Sequence, residues 1–290
     1  MRLINNQTFF FILISIVLFI IPFFWLKPGE MDLGGDSSRL YFYDPISYLK
    51  SFAIYSVVPW GIAHLSYNQY FIPYLLFLSA LKFIFDSPTI LIAIFNGLKL
   101  SGSFIFVFLI IKQFLRKKED EKTLGEWWAA AIGALFYTFS PAVLDNMKYA
   151  LVTHDLVFLN PLIFYLLLRS IREFSMKYLW LAILVSLILS SSFSLQAPPP
   201  LFAFYPLAIT FLFFYNFLVL KKPIPWKGVV FGILFFIGLH AFHLIPVVNN
   251  ILDKGSVFNA RVFESVSNVN VGLEGFNASL SAGKIGEHIL

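Results

Sequence analysis

No cysteine occurs in these 290 residues, which removes disulfides, Cys-ligated metals and thiol redox chemistry from consideration. Charge is scarce as well. Asp, Glu, Lys and Arg make up 13% of the chain, against roughly 25% in soluble domains. A Gly-rich phosphate loop, a dinucleotide fingerprint and an HExxH helix are all missing. Their absence argues against a nucleotide-driven pump and a zinc protease. The formal net charge is +5. It comes from short basic clusters between apolar runs, the pattern of inter-helix loops, so nucleic acid is not an expected partner. No internal repeat is visible.

What is present is apolar. Hydrophobic residues form 59% of the chain, Phe alone accounts for 36 residues, and mean hydropathy is +0.79. These values point to an all-α, polytopic membrane protein. The Phe content suits lipid-facing helices and lipid-binding grooves, or is simply a compositional habit. Apolar runs of spanning length fall at 9–26, 88–112, 127–144, 156–171, 177–195, 199–220 and 228–249. The first has bulky Phe23, Phe24 and Trp25 at its exit and no small-x-small cleavage site, so it reads as a retained anchor.

Two further runs, 45–62 and 69–85, need a decision. In the first, Ile46, Leu49, Phe52 and Tyr55 recur every three residues with polar residues between them, an interfacial pattern. The second is more apolar. Charge decides it. If 69–85 does not cross and Arg2 is cytoplasmic, the inner segments hold Lys112, Arg116, Lys117, Lys118, Lys122, Arg169, Arg172, Lys177, Lys221, Lys222 and Lys227. With Arg2, that is more than half of the 21 Lys and Arg residues on one side. The expectation is therefore about seven spans plus two juxtamembrane helices. Residues 1–250 form the bundle, and 251–290 begin an extracytoplasmic segment of a longer, truncated chain. Loops 27–87 and 145–155 then share the outer face of a cell membrane.

The first outer loop concentrates carboxylates among greasy neighbours: Asp32, Asp36 and Asp44, with Arg39. A carboxylate there can act as general base on an acceptor hydroxyl. Gly34-Gly35 leaves the backbone before Asp36 free to approach a substrate. Asp44 before Pro45 is equally a helix N-cap. The second outer loop carries Asp145, Lys148, His154 and Asp155. His with Asp can hold a divalent metal or orient a substrate, and Lys148 can meet a lipid phosphate. An interfacial anchor loop is the plainer alternative. Asn96 and Lys99 are expected to face the bundle interior, with Lys99 free to snorkel. His240 and His243 share a helix face, where a polar contact to a neighbouring helix is favoured over a metal site.

Five stretches carry a resemblance. They are Gly35-Asp36, Tyr43-Asp44-Pro45-Ile-Ser-Tyr-Leu-Lys50, Asn68-Gln-Tyr-Phe-Ile-Pro73-Tyr, Ala134-Leu-Phe-Tyr-Thr-Phe-Ser-Pro141 and Leu159-Asn-Pro-Leu-Ile-Phe164. With the order of spans, they resemble the GT-C class of membrane glycosyltransferases, and more closely the alpha-(1→3)-arabinofuranosyltransferase family. The likeness is a loose one over residues 9–250, and the Asp-x-Asp pair is missing. It implies a polyprenyl-phosphate sugar donor, an inverting transfer to a glycan, glycolipid or protein acceptor, and an aspartate base in the first loop. That role falls on Asp36, with Asp32 and Asp44 as rivals. Arg39, Lys148, His154, Asp145 and Asp155 are the candidate substrate- and phosphate-binding residues. A divalent metal is left open and would fall to Asp145 and Asp155. The competing reading is a non-catalytic transporter or assembly subunit for envelope glycopolymers. Largely apolar mid-span positions weigh against it.

Overall fold

A computed structural model describes residues 6–25, 39–50, 71–115, 124–148, 155–156, 158–173, 175–190, 199–221, 226, 228–242 and 244–245. Contacts divide the chain into two units, Met1–His243 and Leu244–Leu290. The architecture below belongs to the first. Of the second, Leu244 and Ile245 are described, and both are helical.

The described residues form helices and turns, with no strand among them. Helix α1 covers Asn6–Ile20 and tightens into a 3-10 turn at Ile21–Phe24, with Pro22 in its first turn. Two short helices follow, α2 at Leu40–Tyr43 and α3 at Pro45–Tyr48. Next come α4 at Ile72–Ile84, α5 at Pro88–Leu115, α6 at Leu124–Thr138 and α7 at Pro141–Lys148. The chain continues with α8 at Leu159–Glu173, α9 at Met176–Ile188, α10 at Pro199–Tyr215 and α11 at Gly228–Phe242. Proline opens α3, α5, α7 and α10 and lies in the first turn of α4. It fits there because an N-terminal N–H has no intrahelical partner to lose and its φ is already helical.

The same chemistry splits the expected span 127–144. Helix α6 stops at Thr138, and a new helix starts at Pro141 after a turn at Phe139-Ser140. Inside a continuous helix Pro141 would clash with the carbonyl four residues back and donate nothing. This apolar run is therefore not one helix, and the chain from Pro141 to Lys148 is the separate helix α7.

Helix α5 is the centre of the unit, packed against α1, α2, α4, α6, α7 and α8. Its approach to α1 depends on Gly97, where an added Cβ would run into the carbonyl oxygen and ring of Phe19. Ala93, Gly97 and Ser101 recur at i, i+4 and i+8, and all are buried. Such a small-residue stripe brings backbones together where lipid gives no hydrophobic drive for helix association. Two apolar clusters flank α5. One joins it to α1 and α6 through Leu18, Leu100, Phe104, Phe108, Trp127 and Ala130. The other gathers Tyr41, Phe42, Tyr74, Leu75, Phe95, Leu156 and Ile163 from α2, α4, α5, the turn before α8, and α8.

Two helical stretches, Asn6–Phe24 and Pro88–Leu115, are long and apolar enough to cross a membrane. The first is apolar all round and exposes Phe9, Phe10, Ile12, Leu13, Ile16 and Val17. Both features suggest membrane association.

Candidate functional site

The second cluster encloses a polar knot centred on Asp155, a carboxylate with 1% of its surface exposed. Lys99 of α5 donates to Asp155 Oδ1 at 2.8 Å. On Oδ2, the Tyr41 hydroxyl of α2 donates at 2.6 Å and the Tyr74 hydroxyl of α4 at 3.0 Å. Three donors from three helices thus converge on one carboxylate from the turn before α8. Rings close the surroundings: Phe95 meets Phe42 and Tyr74 edge-on, and Tyr48 packs on Tyr41. Lys99 sits within an apolar helix, where an ammonium without a partner is expensive. A buried pair holds when further hydrogen bonds fill the carboxylate's remaining lone pairs, and the two phenols do so. Burial, and then the charge of Asp155, push the Tyr41 phenol well above its usual range. It is therefore a donor at neutral pH.

Arg39 is the second fixed point. It is buried, and its guanidinium donates to the carbonyl of Met147 in the last turn of α7. That carbonyl belongs to a helix end, where the last carbonyls lack intrahelical partners. The backbone of Arg39 has φ 47°, in the left-handed region, which is strained for any residue with a Cβ. Arg39 and Tyr41 together tie the segment before α3 to α7 and to the turn at Asp155. Residues far apart in sequence, Arg39 with Met147 and Tyr41 with Asp155, so meet through named hydrogen bonds.

Asp44 is exposed and caps α3, its Oδ1 accepting from the Ser47 N–H at 3.0 Å. Hydrogen bonds from Ser47 hold its carboxyl below the usual carboxylate value. Asp145 lies exposed on α7. Lys148 ends the same helix, and its side chain lies outside the described residues, as do Asp32, Asp36 and His154. Of the expected site residues, then, Arg39 and Asp155 are brought into one buried region and Asp44 is placed at a cap. Asp155 does not suit a metal ion in this setting. Its oxygens face an ammonium and two hydroxyl protons, all donors, where a cation needs lone pairs. Among the described residues no three His, Asp or Glu side chains converge.

Asn96 and Lys99 face inward as expected, both buried. Lys99 does not snorkel to the surface; it is paired internally. His240 is fully buried on α11, with Nε2 2.9 Å from Ser186 Oγ of α9. Ser186 Oγ also lies 2.6 Å from the Ile183 carbonyl, a second acceptor for the hydroxyl. The direction of the bond between His240 Nε2 and Ser186 Oγ follows the imidazole tautomer. This is the expected helix–helix polar contact; His243 lies outside the described residues.

Tyr41 and Tyr74 were not legible as site residues. One signal pointed toward them: a lysine in mid-helix demands an acceptor, and an acceptor so buried demands further donors. Comparison with protein-family models, with curated proteins and with solved structures finds no match to this chain.

Proposed function

We propose that this chain is a multi-pass membrane glycosyltransferase of the GT-C kind. It moves a sugar from a polyprenyl-phosphate donor to an envelope glycan, glycolipid or protein acceptor at the outer face. Seven spans and two juxtamembrane helices, with the N-terminus cytoplasmic, make up its bundle. The observation that supports the reading is the docking of the first outer segment on the second, Arg39 on Met147 and Tyr41 on Asp155. A carboxylate-bearing loop whose downstream end is fixed beside the second outer loop can present its acids to one reacting centre.

Asp36, immediately upstream of this fixed segment, is the proposed base, with Asp32 and Asp44 as rivals. Its carboxylate takes the proton of the acceptor hydroxyl as the acceptor oxygen forms a bond to the anomeric carbon. The bond from that carbon to the phosphate oxygen breaks on the opposite face, and the polyprenyl phosphate leaves with the electron pair. Configuration inverts. Lys148 and His154 are proposed to meet the phosphate charge. Arg39 and Asp155, buried and engaged with the protein, hold the loop. No step is assigned to a metal.

The test is transfer from a polyprenyl-phosphate sugar in membranes containing the protein. Asp36→Asn should lower the rate by about 100- to 10,000-fold, the usual range for losing a general base. Asp44→Asn should change little, because Asn caps nearly as well as Asp. Loss in Asp44→Asn or Asp32→Asn alone would name a different base. Native rates in all three would remove the catalytic reading of this loop.

One observation favours a second reading. The buried Lys99–Asp155 pair is of the kind that lines ion and substrate pathways in transporters. A transporter of lipid-linked glycans should move its cargo between leaflets of proteoliposomes and give no product in the transfer assay.

A further inference from the structure

We propose that Asp155, Lys99, Tyr41 and Tyr74 form a buried latch that holds the α2–α3 segment shut on the bundle. In functional terms, which rest on the transferase reading above, the four are positioning residues for the acid-bearing loop upstream of Arg39.

What is being held is small. Helices α2 and α3 are four residues each. Helices this short do not persist by themselves, since nucleation fixes several dihedrals for one hydrogen bond. Something tertiary must keep them in place. Apolar packing contributes, through Phe42 on Phe95 and Tyr41 against Tyr74. Packing is not directional, however, and a row of aromatic rings has many nearly equivalent arrangements. The three hydrogen bonds onto Asp155 are directional, at 2.6, 2.8 and 3.0 Å. They select one arrangement.

Each of the four residues comes from a separate piece of the fold: α2, α4, α5 and the turn before α8. Lys99 and Tyr74 belong to helices of 28 and 13 residues. Tyr41 and Asp155 belong to short pieces. The long helices are therefore the frame, and Tyr41 is the bolt that joins the outer segment to it. Hydrogen bonds to a charged group in a water-poor cluster are stronger than neutral ones, and losing one leaves the remaining groups buried and unsatisfied. Opening the segment means breaking the Tyr41 bond and exposing the Lys99–Asp155 pair. The latch stays closed until something offers Asp155 or Lys99 another partner.

The chain contains no cysteine, so one introduced thiol reports one site. Leu49, just after α3, is 8% exposed; Ala130, in the α5–α6 core, is 0% exposed. Leu49→Cys and Ala130→Cys proteins are to be treated with a small maleimide in native membranes, each alone and combined with Tyr41→Phe or Asp155→Asn. The latch predicts slow labelling of both thiols in the otherwise native chain. Tyr41→Phe and Asp155→Asn should speed labelling at position 49 by about tenfold or more, the effect of losing a hydrogen bond to a charged group, and leave position 130 protected. Adding Tyr41→Phe to Asp155→Asn should then accelerate labelling less than it does alone, because both act on one bond. In the transfer assay the same variants should lower kcat with the donor KM near native. Unchanged labelling at position 49 overturns the latch. Labelling at both positions together also overturns it, since the cluster would then be supporting the whole bundle. Absence of transfer in the native protein would count against the transferase reading alone, because the thiol measurement needs no activity.

Discussion

Arg39 carries a backbone strain and a buried cation at one position, and the two effects can be separated by substitution. Its φ of 47° places a Cβ-bearing residue in the left-handed region. Arg39→Gly and Arg39→Ala both remove the guanidinium from Met147. Only Ala keeps a Cβ there, at roughly 1–2 kcal/mol, partly offset by the greater entropy glycine loses on folding. Arg39→Ala should therefore be the less stable of the two by about 0.5–1 kcal/mol, read from denaturation in detergent. A more stable Ala variant would mean that the backbone is unstrained. Tyr41 gives a pH signature. Its folded-state pKa is raised, so its contribution is complete below the unfolded value near 10 and is lost as pH rises through the folded one. Raising pH toward 10 should leave stability intact, and raising it further should lower it. In Tyr41→Phe this part of the alkaline loss should be smaller.

Among the helices, α5 shows which features sequence reveals and which it hides. Its length and apolar character were plain from composition, and the polar pair Asn96 and Lys99 pointed inward for a physical reason, the scarcity of water in its surroundings. The cap at Asp44 was legible too, because Asp-Pro is a local signal that needs no knowledge of the fold. The break between α6 and α7 was written in Pro141 and was masked by the unbroken apolar run on either side. The latch was hidden for a different reason. Tyr41, Tyr74, Lys99 and Asp155 have no common spacing, and a phenol's partner is set by how helices pack. Asp32 and Asp36, foremost in the sequence argument, lie outside the described residues, so their role rests on chemistry and on the anchoring of the chain at Arg39. Helix packing itself yields a prediction. At Gly97 an added Cβ meets backbone of α1 as well as the Phe19 ring, and backbone cannot rotate away. Gly97→Val should cost about 1–3 kcal/mol as an overpacked contact. Gly125→Val, where an added Cβ meets nothing within 4 Å, should cost less. Equal losses at the two positions would contradict the close crossing of α1 and α5.

For the whole molecule, the account depends on one side of the membrane holding both outer loops. Apolar exposure is broad: α1, α10 and α11 turn Phe, Leu, Ile and Val side chains outward. Broad apolar exposure of this kind suits lipid. Two helical stretches meet the length needed to cross, and the proposed seven-span arrangement rests on the placing of the basic loops. If it holds, Arg39, Asp44 and the turn at Asp155 all lie at the outer face, where a lipid-linked donor would be used. The opposite topology would place them among the wrong substrates. Sidedness is therefore the measurement that tests the central claim most directly. In this cysteine-free chain, Ser38→Cys and Lys118→Cys proteins are to be labelled in intact cells with a membrane-impermeant maleimide. The account predicts modification of the thiol at position 38 and protection of that at 118 until the membrane is permeabilised. Labelling at 118 with protection at 38 would contradict it.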